Sequence, residues 1–276
     1  MNYTDELLIK ELNIHPDVLE TVKRAEEEIA PSFKKLDDIM AYNQYKVLAA
    51  LQKHRIADMH FSWNTGYGYD DPGREACEKV YAEIFGAEAA LVRPTIVNGT
   101  HALAITLMGC LRPGDELIYC SGGPYDTLEE VIGIRGEGMG SLKEYGITYK
   151  QVELLPDGSI DLETLGKTIS EKTKMVSIQR ATGYSWRNSI TVNQIAETAE
   201  FVHRINPEII CMTDNCYGEF LDIKEPTDVG IDVMAGSLIK NPGGGLALTG
   251  GYVCGRRDLI EKISYRMTCP GIGGEC

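Results

Sequence analysis

Apolar positions recur at helical spacing through the first thirty residues: Leu7, Leu8, Leu12, Val18, Leu19, Val22, Ala25 and Ile29. Pro31 predicts a break, with a second helix over 33–53 carrying Leu36, Ile39, Met40, Tyr45, Val47 and Leu48 inward. Residues 1–60 therefore read as an N-terminal helical arm without chemistry of its own. Beyond it, short apolar runs alternate with helical patterns. Helices are expected over 74–85, 102–111, 127–132, 162–169, 192–205 and 256–266. Strands are expected over 89–92, 117–120, 147–154, 173–178, 209–212 and 250–254, with a further apolar run over 233–239. This alternation predicts an α/β domain over 61–268: three layers, a mostly parallel sheet, helices on both faces, and ligands at the C-terminal ends of the strands.

Two charged residues stand where that architecture would put a site. Asp214 follows the 209–212 strand, and a carboxylate there is costly unless something pairs with it. Lys240 follows the 233–239 run and precedes Gly243, Gly244 and Gly245, surroundings that favour a nucleophilic amine over a solvated surface lysine. Pyridoxal phosphate asks for such a pair: its aldehyde takes a lysine as a Schiff base, and its ring nitrogen takes an acidic partner. By themselves the two residues are equally read as a turn cap and a loop lysine. Asn98, Gly99 and Thr100 form a small-residue turn before a helix, where free backbone N–H groups and the helix dipole favour an anion such as the cofactor phosphate. Ser237, three residues before Lys240, adds a hydroxyl. His101 is read two ways, as a ring partner for the cofactor or as a satisfied histidine at a helix start. Glycines 122 and 123 allow close backbone approach to a ligand beside Tyr125. Arg180, after the 173–178 strand, is a candidate for bidentate carboxylate binding.

In this order, these motifs resemble the fold-type-I pyridoxal phosphate enzymes. The resemblance is to the cysteine/methionine-metabolism group, which includes methionine γ-lyase and the cystathionine lyases. It is closer still to the subfamily labelled aluminium resistance protein or methionine γ-lyase family protein. The stretches that carry it are HFSWNTGYGYDDPGRE (60–75), NGTHA (98–102), LRPGDEL (111–117), GGPYDTLEEVIG (122–133), QRATGYSWR (179–187), DNCYGEF (214–220), AGSLIKNPGGGLALTGGY (235–252) and CPGIGGE (269–275). The resemblance implies a carbon–sulfur lyase acting on a sulfur-containing amino acid. Lys240 would be both the cofactor's anchor and the general base, Asp214 the partner of the ring nitrogen, and Tyr125 the stacking ring. Tyr67, Tyr69 and Arg74 would reach the cofactor phosphate of a partner subunit, in a homodimer or a pair of dimers. It also implies a smaller C-terminal domain, of which 269–276 would be the start and the rest truncated. A transaminase, or a non-catalytic α/β module that binds a phosphorylated ligand, are the alternative readings.

Composition narrows the partners. The chain has 276 residues, is 43% hydrophobic and carries a formal net charge of −14, so a nucleic-acid or anionic-membrane partner is not expected. Apolar runs fall short of the roughly 18 residues a membrane span needs, and the acidic, amphipathic N-terminus does not read as a signal peptide. Eight cysteines lack C-x-x-C spacing, and Cys77, Cys110, Cys120, Cys211 and Cys254 read as small buried hydrophobes; the five histidines show no metal pattern. A reducing cytoplasm is the expected compartment.

Overall fold

A computed structural model describes residues 2–276, which fall into two compact units, one up to Tyr45 and one over Lys46–Cys276. The first unit is helical. Helix α1 (Tyr3–Lys10) is opened by Asn2, whose side chain accepts from the Asp5 backbone while Asp5 reaches back to Asn2. Asp5 is buried and bonded to Lys23 of the next helix, and that ammonium holds its carboxyl below the usual range. The single helix expected over 2–30 is broken at 11–15, where Asn13 adopts a left-handed φ of 55°. Asparagine tolerates that conformation better than most residues do. Helix α2 (Pro16–Lys53) then runs on without the predicted stop at Pro31. Strong helix formers on both sides, Glu26 to Ala30 and Lys34 to Leu36, outweigh the one lost backbone bond.

The second unit is built on a seven-stranded sheet. Its elements in chain order are α3 (Pro72–Ile84), β1 (Ala89–Arg93), α4 (Gly99–Cys110), β2 (Glu116–Tyr119), α5 (Asp126–Ile132), β3 (Thr148–Gln151), α6 (Leu162–Thr168), β4 (Thr173–Gln179), α7 (Val192–Ile205), β5 (Ile210–Asp214), β6 (Val233–Ser237), β7 (Gly251–Gly255) and α8 (Arg257–Met267). The strand order is β1-β7-β6-β5-β4-β2-β3. Only β7 runs antiparallel to its neighbours. Every residue of β2, β5, β6 and β7 is buried, as both-face coverage demands. The predicted strand over 147–154 shortens to β3, because this edge carries the polar run Thr148 to Gln151 and gains no second neighbour.

Successive residues of a strand face opposite sides. Val176, Ile178, Cys211 and Met234 pack with Ile195, Ala199 and Val202 of α7. Met175, Met212 and Ala235 pack with Leu103 and Leu107 of α4 and Ile260 and Ile263 of α8. By the same alternation Gln179, Asp214 and Ser237 lie on the α4 face, at the C-terminal ends of three adjacent strands. All eight cysteines are free, and Cys110, Cys120, Cys211 and Cys254 are buried in these two cores. No described helix is long and apolar enough to cross a membrane.

The tolerance of Pro31 has a measurable consequence. Replacing it by alanine restores a backbone donor in an exposed helix interior. Pro31→Ala should therefore stabilise α2 by up to about 3 kcal/mol. Slower amide exchange around residues 28–34 is the expected readout.

Candidate functional site

A cavity of about 650 Å³ opens at the C-terminal ends of β4, β5 and β6. Asn98, Gly99, Thr100, Tyr125, Asp214, Ser237 and Lys240 all line it. Seven candidates separated by up to 142 positions in the chain (240 − 98) thus converge on one space. Asp214 is the last residue of β5 and is 6% exposed. Burial pushes its carboxyl up to about 6, against the pull of the Cys216 N–H, 3.1 Å away, and of the Lys240 charge. Lys240 is half-buried; its ammonium bonds to the Tyr217 hydroxyl and lies 4.1 Å from the centre of that ring.

The turn at 98–100 is held by local chemistry. Asn98 caps α4 by accepting from the His101 N–H at 2.8 Å. The N–H groups of Gly99 and Thr100 lie in the first turn, where a helix offers them no internal partner. Gly99 lets this helix end press on the end of β6: a Cβ there would stand 3.0 Å from Ser237 Cβ and 3.4 Å from Cys216 Sγ. The Thr100 and Thr127 hydroxyls share a 2.7 Å bond that ties α4 to α5. Of the two readings of His101, the structure favours the local one, since its Nδ1 accepts from the Val97 N–H at 3.2 Å.

Tyr125 stacks on Tyr184 with centroids 5.7 Å apart, and its hydroxyl donates to that of Tyr184 at 3.2 Å. That bond is the main reason the Tyr125 hydroxyl is pushed up to about 12. Gln179, Tyr184, Cys216 and Tyr217 line the cavity without having been singled out in the sequence. A Tyr-Gly pair three residues after a strand-end carboxylate was the available signal for Tyr217.

Four candidates lie elsewhere. Arg180 does not line the cavity. One residue past Gln179, it turns to the α7 face, where it meets Asn215, the Gly218 carbonyl and Glu225. The expected carboxylate contact is thus absent from this arrangement, because the guanidinium is committed to buried acceptors. Tyr67 and Tyr69 stack on each other, centroids 5.5 Å apart, and are exposed. Arg74 donates to the carbonyls of Gly68 and Glu275.

Next to the cavity, Glu219 is fully buried. Tyr252 donates to its Oε1 at 2.8 Å, while Oε2 has no hydrogen-bond partner among the described residues. Burial pushes this carboxyl up to about 8.

The profile of the methionine gamma-lyase family matches residues 18–276. The chain belongs to that family. It is 52% identical over 263 residues to the Bacillus subtilis (strain 168) protein named uncharacterized protein YnbB, covering 95% of this chain and 62% of that one. The crystal structure of a carbon-sulfur lyase involved in aluminum resistance from Clostridium novyi NT superposes with a TM-score of 0.95 at 51% identity, covering all of this chain and 66% of that one. L-methionine gamma-lyase of Pseudomonas deceptionensis is 27% identical over 169 residues, 60% of this chain and 37% of that one. The chain therefore spans under two thirds of the length of these relatives. The fold these likenesses require, a mostly parallel sheet between helices of the pyridoxal phosphate-dependent transferase type, is the one observed.

Two outcomes follow from the site's packing. Gly99→Ala forces Ser237 or α4 to give way by a few tenths of an ångström, so the variant's melting temperature should fall by roughly 2–4 °C, a loss of about 1 kcal/mol. Glu219 holds its proton in the folded chain up to about pH 8, whereas the unfolded chain releases it near the ordinary carboxyl value of 4.5. The folded state binds more protons between those limits, so this group's contribution to stability falls as pH rises through them. Glu219→Gln should remove that slope. Its melting temperature should exceed the parent's by roughly 3 °C or more at pH 8.5, with a smaller difference at pH 5.

Proposed function

We propose that this chain carries the cofactor site of a pyridoxal phosphate-dependent carbon–sulfur lyase acting on a sulfur-containing amino acid. One observation carries the proposal: a buried strand-end carboxylate, a half-buried lysine and the N-terminus of α4 share a single cavity. The donor set suits this group. The Gly99 and Thr100 N–H groups and the Ser237 hydroxyl offer an anion site, Asp214 offers a carboxylate, and Lys240 offers a primary amine.

When bound, pyridoxal phosphate supplies an aldehyde for the amine and an electron-withdrawing ring that stabilises a carbanion at the substrate's α-carbon. The protein's own groups do the rest. Asn98 caps α4 and keeps its first turn open towards the phosphate. Asp214, short of water and held by the Cys216 N–H, gives the cavity floor a carboxylate that answers a positive ring nitrogen. The Lys240 Nζ takes a proton from the α-carbon and returns it, with the Tyr217 hydroxyl as its hydrogen-bond partner in the resting state. Tyr125, braced by Tyr184, covers one side of the cavity. The relative named as a carbon-sulfur lyase supports the reaction class, and L-methionine gamma-lyase supports the substrate class.

The proposal extends to assembly and location. Val18, Val22, Ile29, Phe33, Leu36 and Met40 are exposed along α2 and suit a face that packs on a second copy. A homodimer or pair of dimers, with Tyr67 and Tyr69 serving the neighbouring copy's cavity, fits the family resemblance, as does a cytoplasmic location.

Adding pyridoxal phosphate should give an absorbance band near the visible edge that borohydride bleaches, with the added mass mapped to Lys240. Lys240→Ala should lose the band and the adduct. Asp214→Ala should keep the adduct, bind the cofactor weakly and turn over no substrate. An adduct on another lysine overturns the proposal. Release of a keto acid with neither thiol nor ammonia moves the reading to a transaminase.

A further inference from the structure

Charged side chains surround the turn after β5 on the face of the sheet away from the cavity. The Gly218 N–H donates to the Asn215 carbonyl at 2.8 Å, closing a tight turn in which Tyr217 is the third residue. Tyr217 has a φ of 65° and Phe220 one of 64°. A left-handed backbone costs a residue with a Cβ roughly 1–2 kcal/mol, so each persists only where its surroundings impose it.

Two buried groups do so here. Arg180 Nη1 donates to Asn215 Oδ1 at 3.0 Å and to the Gly218 carbonyl at 2.6 Å. Glu225 accepts from the Phe220 N–H at 2.8 Å and from Asn215 Nδ2 at 3.2 Å, and lies 3.9 Å from Arg180. Gly218 is dictated by this contact: a Cβ there would stand 2.5 Å from Arg180 Cδ. The Lys46 ammonium, 5.7 Å from the centre of the Phe220 ring, adds attraction for Glu225. On the cavity side the same turn delivers the Tyr217 hydroxyl to Lys240.

We propose that Arg180 and Glu225 are positioning residues for Lys240, holding Tyr217 in the left-handed turn from which its hydroxyl meets the amine. The pair touches neither the cavity nor the amine and acts through the backbone of 215–220. Its catalytic meaning rests on the reading of Lys240 given above; the geometry does not.

Labelling in the cofactor-free protein tests it. Acetylation of Lys240 by a small active ester at fixed pH is followed by mass spectrometry, with Lys79 and Lys167 as internal references. Tyr217→Phe should raise relative labelling of Lys240 by roughly threefold to tenfold, the range of one net hydrogen bond. Arg180→Lys should raise it in the same direction, since a lysine side chain ends short of the Nη1 position from which both Asn215 Oδ1 and the Gly218 carbonyl are bonded. The double variant should match Tyr217→Phe alone. Parent-like labelling in either single variant, or effects that multiply in the double, overturns the proposal. Should Arg180→Lys melt below the assay temperature, Glu225→Gln is read by the same criterion. Loss of folding in both makes the pair a folding element and also overturns it. The assay needs no cofactor, so its failure leaves a cofactor adduct at Lys240 standing, and a missing adduct leaves the labelling result standing.

Discussion

A carboxylate deprived of water at the end of a buried strand is the constraint around which this site is arranged. Asp214 cannot be solvated there, and a single backbone N–H with one nearby ammonium does not make up for the lost water. Its proton equilibrium is consequently poised close to neutrality. A cation entering the cavity tips that balance towards the ionised form, because opposite charges attract strongly where solvent is excluded. The open first turn of α4 answers the complementary end of a ligand. An anion at one end and a cation near the other is the polarity the cavity imposes on whatever it binds.

The two faces of the sheet divide the labour. On the α4 face, Gln179, Asp214 and Ser237 open onto the cavity. On the α7 face, the side chains one position further along β4 and β5, Arg180 and Asn215, enter a buried polar cluster with Glu225. Alternation along the strands makes the two sets neighbours in sequence yet opposites in space. The strained turn at Tyr217 joins them, anchored on one side and reaching the amine on the other. A fully buried cluster of this kind costs desolvation energy that apolar packing would avoid.

The chain belongs to the methionine gamma-lyase family and is similar, at 51% identity, to a solved structure named as a carbon-sulfur lyase. Those relatives are longer than this chain.

Periodicity carried most of the architecture, because both cores are built from local patterns: buried runs for β4, β5 and β6, and one apolar stripe for α7. Asn98, Asp161 and Thr191 cap α4, α6 and α7 in the folded chain by chemistry that needs no tertiary partner. Asp214, Lys240, Ser237 and the 98–100 turn were visible, since each breaks its local apolar pattern with a polar group. The course of α2 through Pro31 was not legible, because a local penalty was outweighed by the length of helix on either side. Nor was the direction of Arg180. Its sequence neighbours suggest a ligand contact, but a one-residue step along β4 and a buried Glu225 forty-five positions away (225 − 180) send it to the other face. Tyr217 shows the same limit: residue type gives a hydroxyl, whereas only the folded turn decides which amine it meets.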